Sequence, residues 1–184
     1  MNPQYAILRF AKYKGPEIGH IESHNERTKE KYASNPDVDT SRSHLNYHLI
    51  TPQRKYRAEA EKQIAEAGCR TRSDSVRVVE ALITASPEFF KGKKKAEIRE
   101  YFEEALRFME KHQSKETIIS SVVHMDEKTP HMHLSFVPLA VQMCRFLEQS
   151  RRNMLPSGFA GTFAALQIGI FLHHVFPEVV LPLC

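Results

Sequence analysis

The sequence predicts an α+β domain in which helices cover one face of an antiparallel sheet. Three observations carry that expectation. His44–Ile50 alternates in polarity, two later segments place apolar residues at helical spacing, and two apolar stretches flank a tight Asp126–Pro130 turn. With 184 residues, 41% hydrophobic and 26% charged, the chain can bury one sizeable core and is not wholly disordered.

Taken in order, Tyr5–Phe10 (YAILRF) is β-prone and predicts the first strand. Gly15-Pro16 marks a loop over Lys14–Gly19. Ile21–Asn35 is mostly charged, with an apolar face too thin for a core helix, so a short helix or a loop over a site is expected. In His44–Ile50, Leu45, Tyr47 and Leu49 share one face and His44, Asn46 and His48 the other, as in a half-buried strand. Tyr56–Glu66 predicts a helix closed by Gly68. Ser73 or Asp74 is expected to cap a helix carrying Val76, Val79, Leu82 and Ile83. A longer helix over Lys94–His112 is marked by Ile98, Tyr101, Phe102, Leu106 and Met109. Thr117–His124 and His131–Leu139 then read as a β-hairpin.

A net charge of +4, a pI near 9.0 and a mean hydropathy of −0.44 suit a polyanionic partner but do not single one out. Cys69, Cys144 and Cys184 are odd in number and far apart, which argues against a disulfide framework or a thiolate zinc site and makes a reducing cytoplasm the default. The N-terminal residues lack the uninterrupted apolar run of a secretory signal.

The chemical signal is His124-Met125-Asp126-Glu127-Lys128-Thr129-Pro130-His131-Met132-His133. Residues two apart on a strand share a face, so His131 and His133 project together, and a hairpin can bring His124 beside them. Three converging imidazoles leave coordination positions open for water or a phosphate oxygen. Such ligands suit Zn²⁺ or Ni²⁺ by affinity, and availability often decides which divalent ion is bound. Asp126 and Glu127 are candidates to orient an imidazole or to act as acid or base; the alternative for Asp126 is a plain polar turn.

This stretch resembles motif III, HxDExTPHxH, of the Mob/Pre relaxases, histidine–hydrophobic–histidine endonucleases of plasmid mobilisation and recombination. His24-Asn25-Glu26-Arg27 is similar to the family's motif I, and Ser41-Arg42-Ser43-His44-Leu45-Asn46-Tyr47 to its motif II. The resemblance covers about residues 1–139 and implies about five antiparallel strands with the hairpin at their centre. It also implies nicking and transesterification of one strand at a plasmid origin of transfer, single-stranded or folded as a hairpin. His124, His131 and His133 would hold Mn²⁺ or Mg²⁺, and His24 would attack phosphorus. Arg27 would contact the same phosphate, and Glu127 would position or deprotonate the nucleophile. Tyr47 is the alternative nucleophile, although its alternation phase suggests packing. Arg42, Asn46, Arg70, Arg72 and Arg77 are candidate DNA contacts, with Arg54, Lys55, Arg57 and the Lys91–Lys95 run beside them. His48 departs from the acidic residue associated with that position. No small-molecule substrate is expected.

After Pro138 the resemblance stops. Residues 140–184 are read as a divergent apolar tail, and Asn153–Pro177 contains no Asp, Glu, Lys or Arg. A shifted reading frame or a truncated gene is the preferred explanation, leaving an incomplete relaxase fold. A membrane segment is the lesser one, because Gly158, Gly161, Gln167 and Gly169 interrupt its core. The alternatives to an active relaxase are an inactive remnant that only binds DNA and a metal hydrolase unrelated to DNA. The last gives no reason for motifs I and II.

Overall fold

The computed structural model describes residues 5–29 and 35–139; the readings of the tail fall outside them. The strands are β1 (Ala6–Tyr13), β2 (Tyr47–Ile50), β3 (Val78–Ala85), β4 (Ile118–His124) and β5 (His131–Phe136). They form one sheet in the order β1-β3-β5-β4-β2, every neighbouring pair antiparallel. The α+β antiparallel sheet is therefore as predicted, and the histidine-bearing β5 is its middle strand.

Register sorts the side chains. His133 pairs with Leu82 on one side and Val122 on the other, and His131 pairs with Thr84 and His124. Directly paired residues share a face, so His124, His131, His133, Ser135, Glu80 and Thr84 project together. Met132, Leu134, Phe136, Val79, Ala81, Ile83 and Val123 project the other way and are buried as the core. The helical cover expected on one face is divided. The long α4 (Lys95–His112) belongs to the apolar face, where Arg99 stands 5.0 Å over the ring of Tyr47 and Ile98, Phe102 and Met109 are buried. On the histidine face stand α1 (Ile18–Asn25) and α2 (Tyr56–Glu66), tied to each other by Tyr56 Oη donating to Glu26 at 2.7 Å.

Two predicted elements are corrected. The segment expected as a capped helix around Val76–Ile83 is β3, paired on both edges. A strand buried on both faces reads as a continuous apolar run, and Val78–Ala85 is one, broken only by Glu80 and Thr84. The strand expected over His44–Ile50 begins only at Tyr47. Thr40–Leu45 winds instead as a 3-10 helix, because Asp39 caps it by accepting from Ser41 N at 3.1 Å and Ser41 Oγ at 2.6 Å. A short α3 (Pro87–Phe90), absent from the sequence reading, joins β3 to α4. Lys14–Gly19, expected as a loop, holds a 3-10 turn at Gly15–Glu17 and the start of α1.

The loops over the site hang on Asp126, whose side chain is fully buried. Arg27 donates to it twice, Nη2 to Oδ1 at 2.8 Å and Nε to Oδ2 at 2.9 Å. Ser43 Oγ and Asn46 Nδ2 also donate to Oδ2, at 2.6 and 2.8 Å. Asn46 Oδ1 in turn accepts from Met125 N at 2.7 Å, and Arg42 Nη2 donates to Met125 O at 2.8 Å. Burial alone would raise the Asp126 pKa, but the hydrogen bonds from Arg27, Ser43 and Asn46 hold it well below its ordinary 3.8.

Asp126→Ala is expected to cost about 3–5 kcal/mol, because it leaves Arg27, Ser43 and Asn46 facing a vacated buried position. Urea unfolding midpoints measure the loss. Since the folded-state pKa is depressed, the contribution is complete above the ordinary carboxylate pKa and lost as pH falls. The gap between wild type and variant should therefore narrow progressively below about pH 4. By contrast, Glu104→Ala, at the exposed Glu104–Arg107 pair, should leave the midpoint where it is.

Candidate functional site

The site assembles from four segments. The end of β4 and the start of β5 supply His124, His131 and His133; the turn between them supplies Glu127; α1 supplies His24 and Asn25; β3 supplies Glu80. α1 starts after Pro16 and Glu17, which pre-set its first turn, and buries Ile18, Ile21 and Asn25 along one stripe. Just past its C-cap Glu26 comes Arg27, whose φ of 49° is left-handed. A residue with a Cβ pays on the order of 1 kcal/mol for that conformation. Glycine would adopt it freely but would lack the guanidinium that reaches Asp126 and Glu127.

The imidazoles of His124, His131 and His133 stand with ring centroids 4.9–5.2 Å apart. His24 closes the group at 5.5 Å from His124 and 5.2 Å from His133. In each of the three hairpin histidines one ring nitrogen lies close to an oxygen of the protein, a carbonyl for His124 and His131 and a carboxylate for His133. His124 Nε2 lies 2.9 Å from Asn25 O, His131 Nδ1 2.9 Å from Thr129 O, and His133 Nδ1 3.2 Å from Glu80 Oε1. A carbonyl oxygen only accepts, so the first two nitrogens carry the proton and the lone pairs lie on His124 Nδ1 and His131 Nε2. His124 Nδ1 and both ring nitrogens of His133 are buried without a hydrogen-bond partner, the 3.2 Å approach of His133 Nδ1 to Glu80 being an ion-pair contact. Orphaned buried nitrogens are costly unless something binds them, and neutral imidazoles held by their second nitrogen are the usual form of metal ligands. The residues thus fit a divalent cation.

The donor atoms are not one simple trio. His24, His124 and His133 offer atoms within 4.8 Å of one another, and so do His124, Glu127 and His131. The predicted three ligands are therefore divided between two sets that share His124, and the two other candidates, His24 and Glu127, join one set each.

Charge balance supports ligand readiness. Burial first, then the neighbouring His133 and Arg27, lowers His24 to about 4, so it is neutral at physiological pH. His124 and His131 are also lowered, chiefly by burial and then by His133. Glu127 Oε1 accepts from Arg27 Nη2 at 2.6 Å and lies 3.6 Å from His131 Nε2, 3.9 Å from His24 Nε2 and 4.0 Å from His124 Nδ1. Its Oε2 accepts from Asn35 Nδ2 at 3.1 Å. Burial would raise the Glu127 pKa, but His131 and the Arg27 and Asn35 hydrogen bonds lower it, so it is ionised. A cleft of about 380 Å³ opens over the group, lined by His24, Asn35, Thr84, Glu127, His131 and His133 among others.

The other candidates lie apart. Tyr47 sits on the apolar face, its hydroxyl buried and unpartnered and its pKa raised by burial to about 12; it is not at the site. Arg42 and Asn46 serve the hairpin turn, as described above. Arg77 is half-buried against Gly15 and pairs with Glu61 at 3.3 Å. Arg70 and Arg72 are exposed on the loop entering β3 at its Val78 end. His48 lies 3.1 Å from Glu26 Oε2, on the histidine face. Sequence reasoning gave Asn25 and Glu80 no role. The one available signal was an acidic residue alone in the apolar run Val78–Ile83, a position that a buried strand tolerates only for a partnered carboxylate.

Comparison with known proteins agrees with this geometry. Residues 2–151 match the family model described as plasmid recombination enzyme. The chain is 38% identical over 140 residues to plasmid recombination enzyme type 1 of Staphylococcus aureus, covering 73% of this chain and 34% of that protein. It is 39% identical over 138 residues to the plasmid recombination enzyme of Lactiplantibacillus plantarum, covering 73% and 38%. The chain thus spans about a third of the length of these curated relatives. Among solved structures it is similar to the MobM relaxase domain bound to plasmid pMV158 oriT DNA in Mn-bound form, with a TM-score of 0.69 and 33% identity over 73% of this chain and 71% of that one. A second such complex covers 92% of this chain and 79% of that one, with a TM-score of 0.66 and 28% identity. With the matched model running over most of its length, this chain belongs to the Mob/Pre family of plasmid recombination enzymes.

Proposed function

We propose that this chain is a DNA relaxase that nicks one strand at a plasmid origin of transfer and keeps the cut end on His24. The observation that carries this reading is the imidazole group itself, with His24 packed within 5.2–5.5 Å of two histidines whose unpartnered nitrogens are buried. The likeness to a Mn-bound relaxase domain on oriT DNA supports the same reading. His124, His131 and His133 would hold the divalent ion, Mn²⁺ or Mg²⁺, with Zn²⁺ and Ni²⁺ suited by affinity. That ion would supply positive charge to a phosphodiester whose own charge repels nucleophiles.

The residues of the chain do the rest. A neutral His24 has a lone pair to attack phosphorus; the bond from phosphorus to the 3′ oxygen breaks as the phosphorus–nitrogen bond forms. The imidazole N–H proton passes to the ionised Glu127, which hands it on to the departing 3′ oxygen so that it leaves as a hydroxyl. Arg27, with Nη1 3.3 Å from both His24 ring nitrogens and Nη2 on Glu127, keeps attacker and base on one side of the cleft. The phosphoramidate conserves the bond energy needed for rejoining.

The partner is plasmid DNA, single-stranded or in hairpin form at the cut, and the setting is the cytoplasm. No helix among the described residues is long and apolar enough to cross a membrane. Arg70 and Arg72, exposed, would contact phosphates directly. Arg42, Asn46 and Arg77, already engaged within the fold, would act on DNA binding by holding loops in place. Residues 1–139 would form the catalytic body, with the family match continuing to residue 151.

Incubation of the full chain with supercoiled origin plasmid and Mn²⁺ should give relaxed plasmid carrying covalently attached protein, and EDTA should prevent it. Intact plasmid despite measurable DNA binding would instead favour a protein that only binds DNA. His24→Ala should abolish the adduct, whereas His131→Ala should weaken Mn²⁺ binding by more than about 100-fold. Tyr47→Phe, on the opposite face, should leave adduct formation at the wild-type level; its loss there would return the nucleophile to the tyrosine.

A further inference from the structure

Behind the histidines lies a second layer that the reaction above does not use. Glu80 is the acidic residue of β3, a strand paired on both edges, and only 7% of it is exposed. Its two oxygens face different partners: Oε1 stands 3.2 Å from His133 Nδ1, and Oε2 accepts from Asn25 Nδ2 at 2.7 Å. Asn25 is itself buried, and its backbone carbonyl is the acceptor 2.9 Å from His124 Nε2. One residue of α1 therefore touches the supports of two histidines, and it is the immediate neighbour of His24.

We propose that Glu80 and Asn25 are positioning residues that set which nitrogen each imidazole presents to the cation. The charge of the carboxylate, 3.2 Å from Nδ1, favours the His133 proton there and leaves the Nε2 lone pair for the ion, as outer carboxylates do for metal-bound histidines. The Asn25 carbonyl imposes the opposite tautomer on His124, with the proton on Nε2 and Nδ1 presented. His131, held by Thr129 O, presents Nε2 without help from either residue. The Asn25 amide holds Glu80 in place, which a neutral isostere at position 80 does not fully replace because it offers a donor of its own there. An isolated buried carboxylate would be expelled or neutralised, so this pairing also explains how Glu80 persists inside the sheet.

The proposal rests on the cation-dependent reading given above, and its test separates the two. In the metal-free full chain, ¹⁵N shifts of the ring nitrogens should report His133 with the proton on Nδ1 and His124 with the proton on Nε2. In Glu80→Ala, His133 should become a mixture of tautomers while His131 keeps its pattern. Mn²⁺ titration followed by electron paramagnetic resonance should show affinity lowered about 10–100-fold in Glu80→Ala. Glu80→Gln and Asn25→Ala should fall between that variant and wild type. If Glu80→Ala does not melt cooperatively, the isosteric Glu80→Gln carries the test. Wild-type affinity together with an unchanged His133 pattern in the folded variants would overturn the positioning role. Failure of the wild-type chain to bind Mn²⁺ would sink the cation-dependent reading instead, and the tautomer measurement would still decide whether Glu80 sets His133.

Discussion

The buried carboxylate of Asp126 is the interaction on which the geometry of the site depends. It sits in the turn of the histidine hairpin, yet its partners come from a helix end and from the loop before β2. Three stretches remote in sequence meet on one side chain. Arg27 then spans Asp126 and Glu127, so the same guanidinium that follows α1 orients the carboxylate nearest the imidazoles. An ion pair this buried contributes little net stability against an apolar substitute, but removing one member is severe. Its value lies in specifying one arrangement of three loops.

The site is also built by economy of lone pairs. A main-chain carbonyl engages one nitrogen each of His124 and His131, and a carboxylate stands at ion-pair distance from His133 Nδ1. The engaged atoms are fixed by rigid elements: Asn25 by the last turn of α1, and Glu80 by a strand paired on both edges. Burial keeps His24, His124 and His131 neutral, and neutrality is the condition both for ligation and for nucleophilic attack.

Much of this was legible in the sequence, for local reasons. The hairpin is written in two apolar runs and a Pro-containing turn, α4 carries helical periodicity, and Gly68 marks the end of α2. What escaped was decided by tertiary environment. Val76, Val79, Leu82 and Ile83 fit a helical stripe, and only pairing with β1 and β5 makes Val78–Ala85 a strand. That one error hid Glu80, since the register placing it behind His133 exists only in the sheet. The 3-10 helix of Thr40–Leu45 was obscured by a chance alternation of polar and apolar residues. Asp126 read equally well as a turn residue or a functional one, because the four donors that surround it are 80 to 99 positions away.

The strand order carries a consequence for synthesis. β5 lies in the middle of the sheet but is the last in sequence of the five strands among the described residues. A chain emerging from the ribosome presents His24 and Glu80 early, on a helix and a ribbon whose central slot is still vacant. Domains fold as units once their elements are available. The cation-ready imidazoles therefore come into existence only when the last strand enters and joins the two halves of the sheet. Nascent chains that stop short of β5 lack His131 and His133 and carry no complete imidazole group.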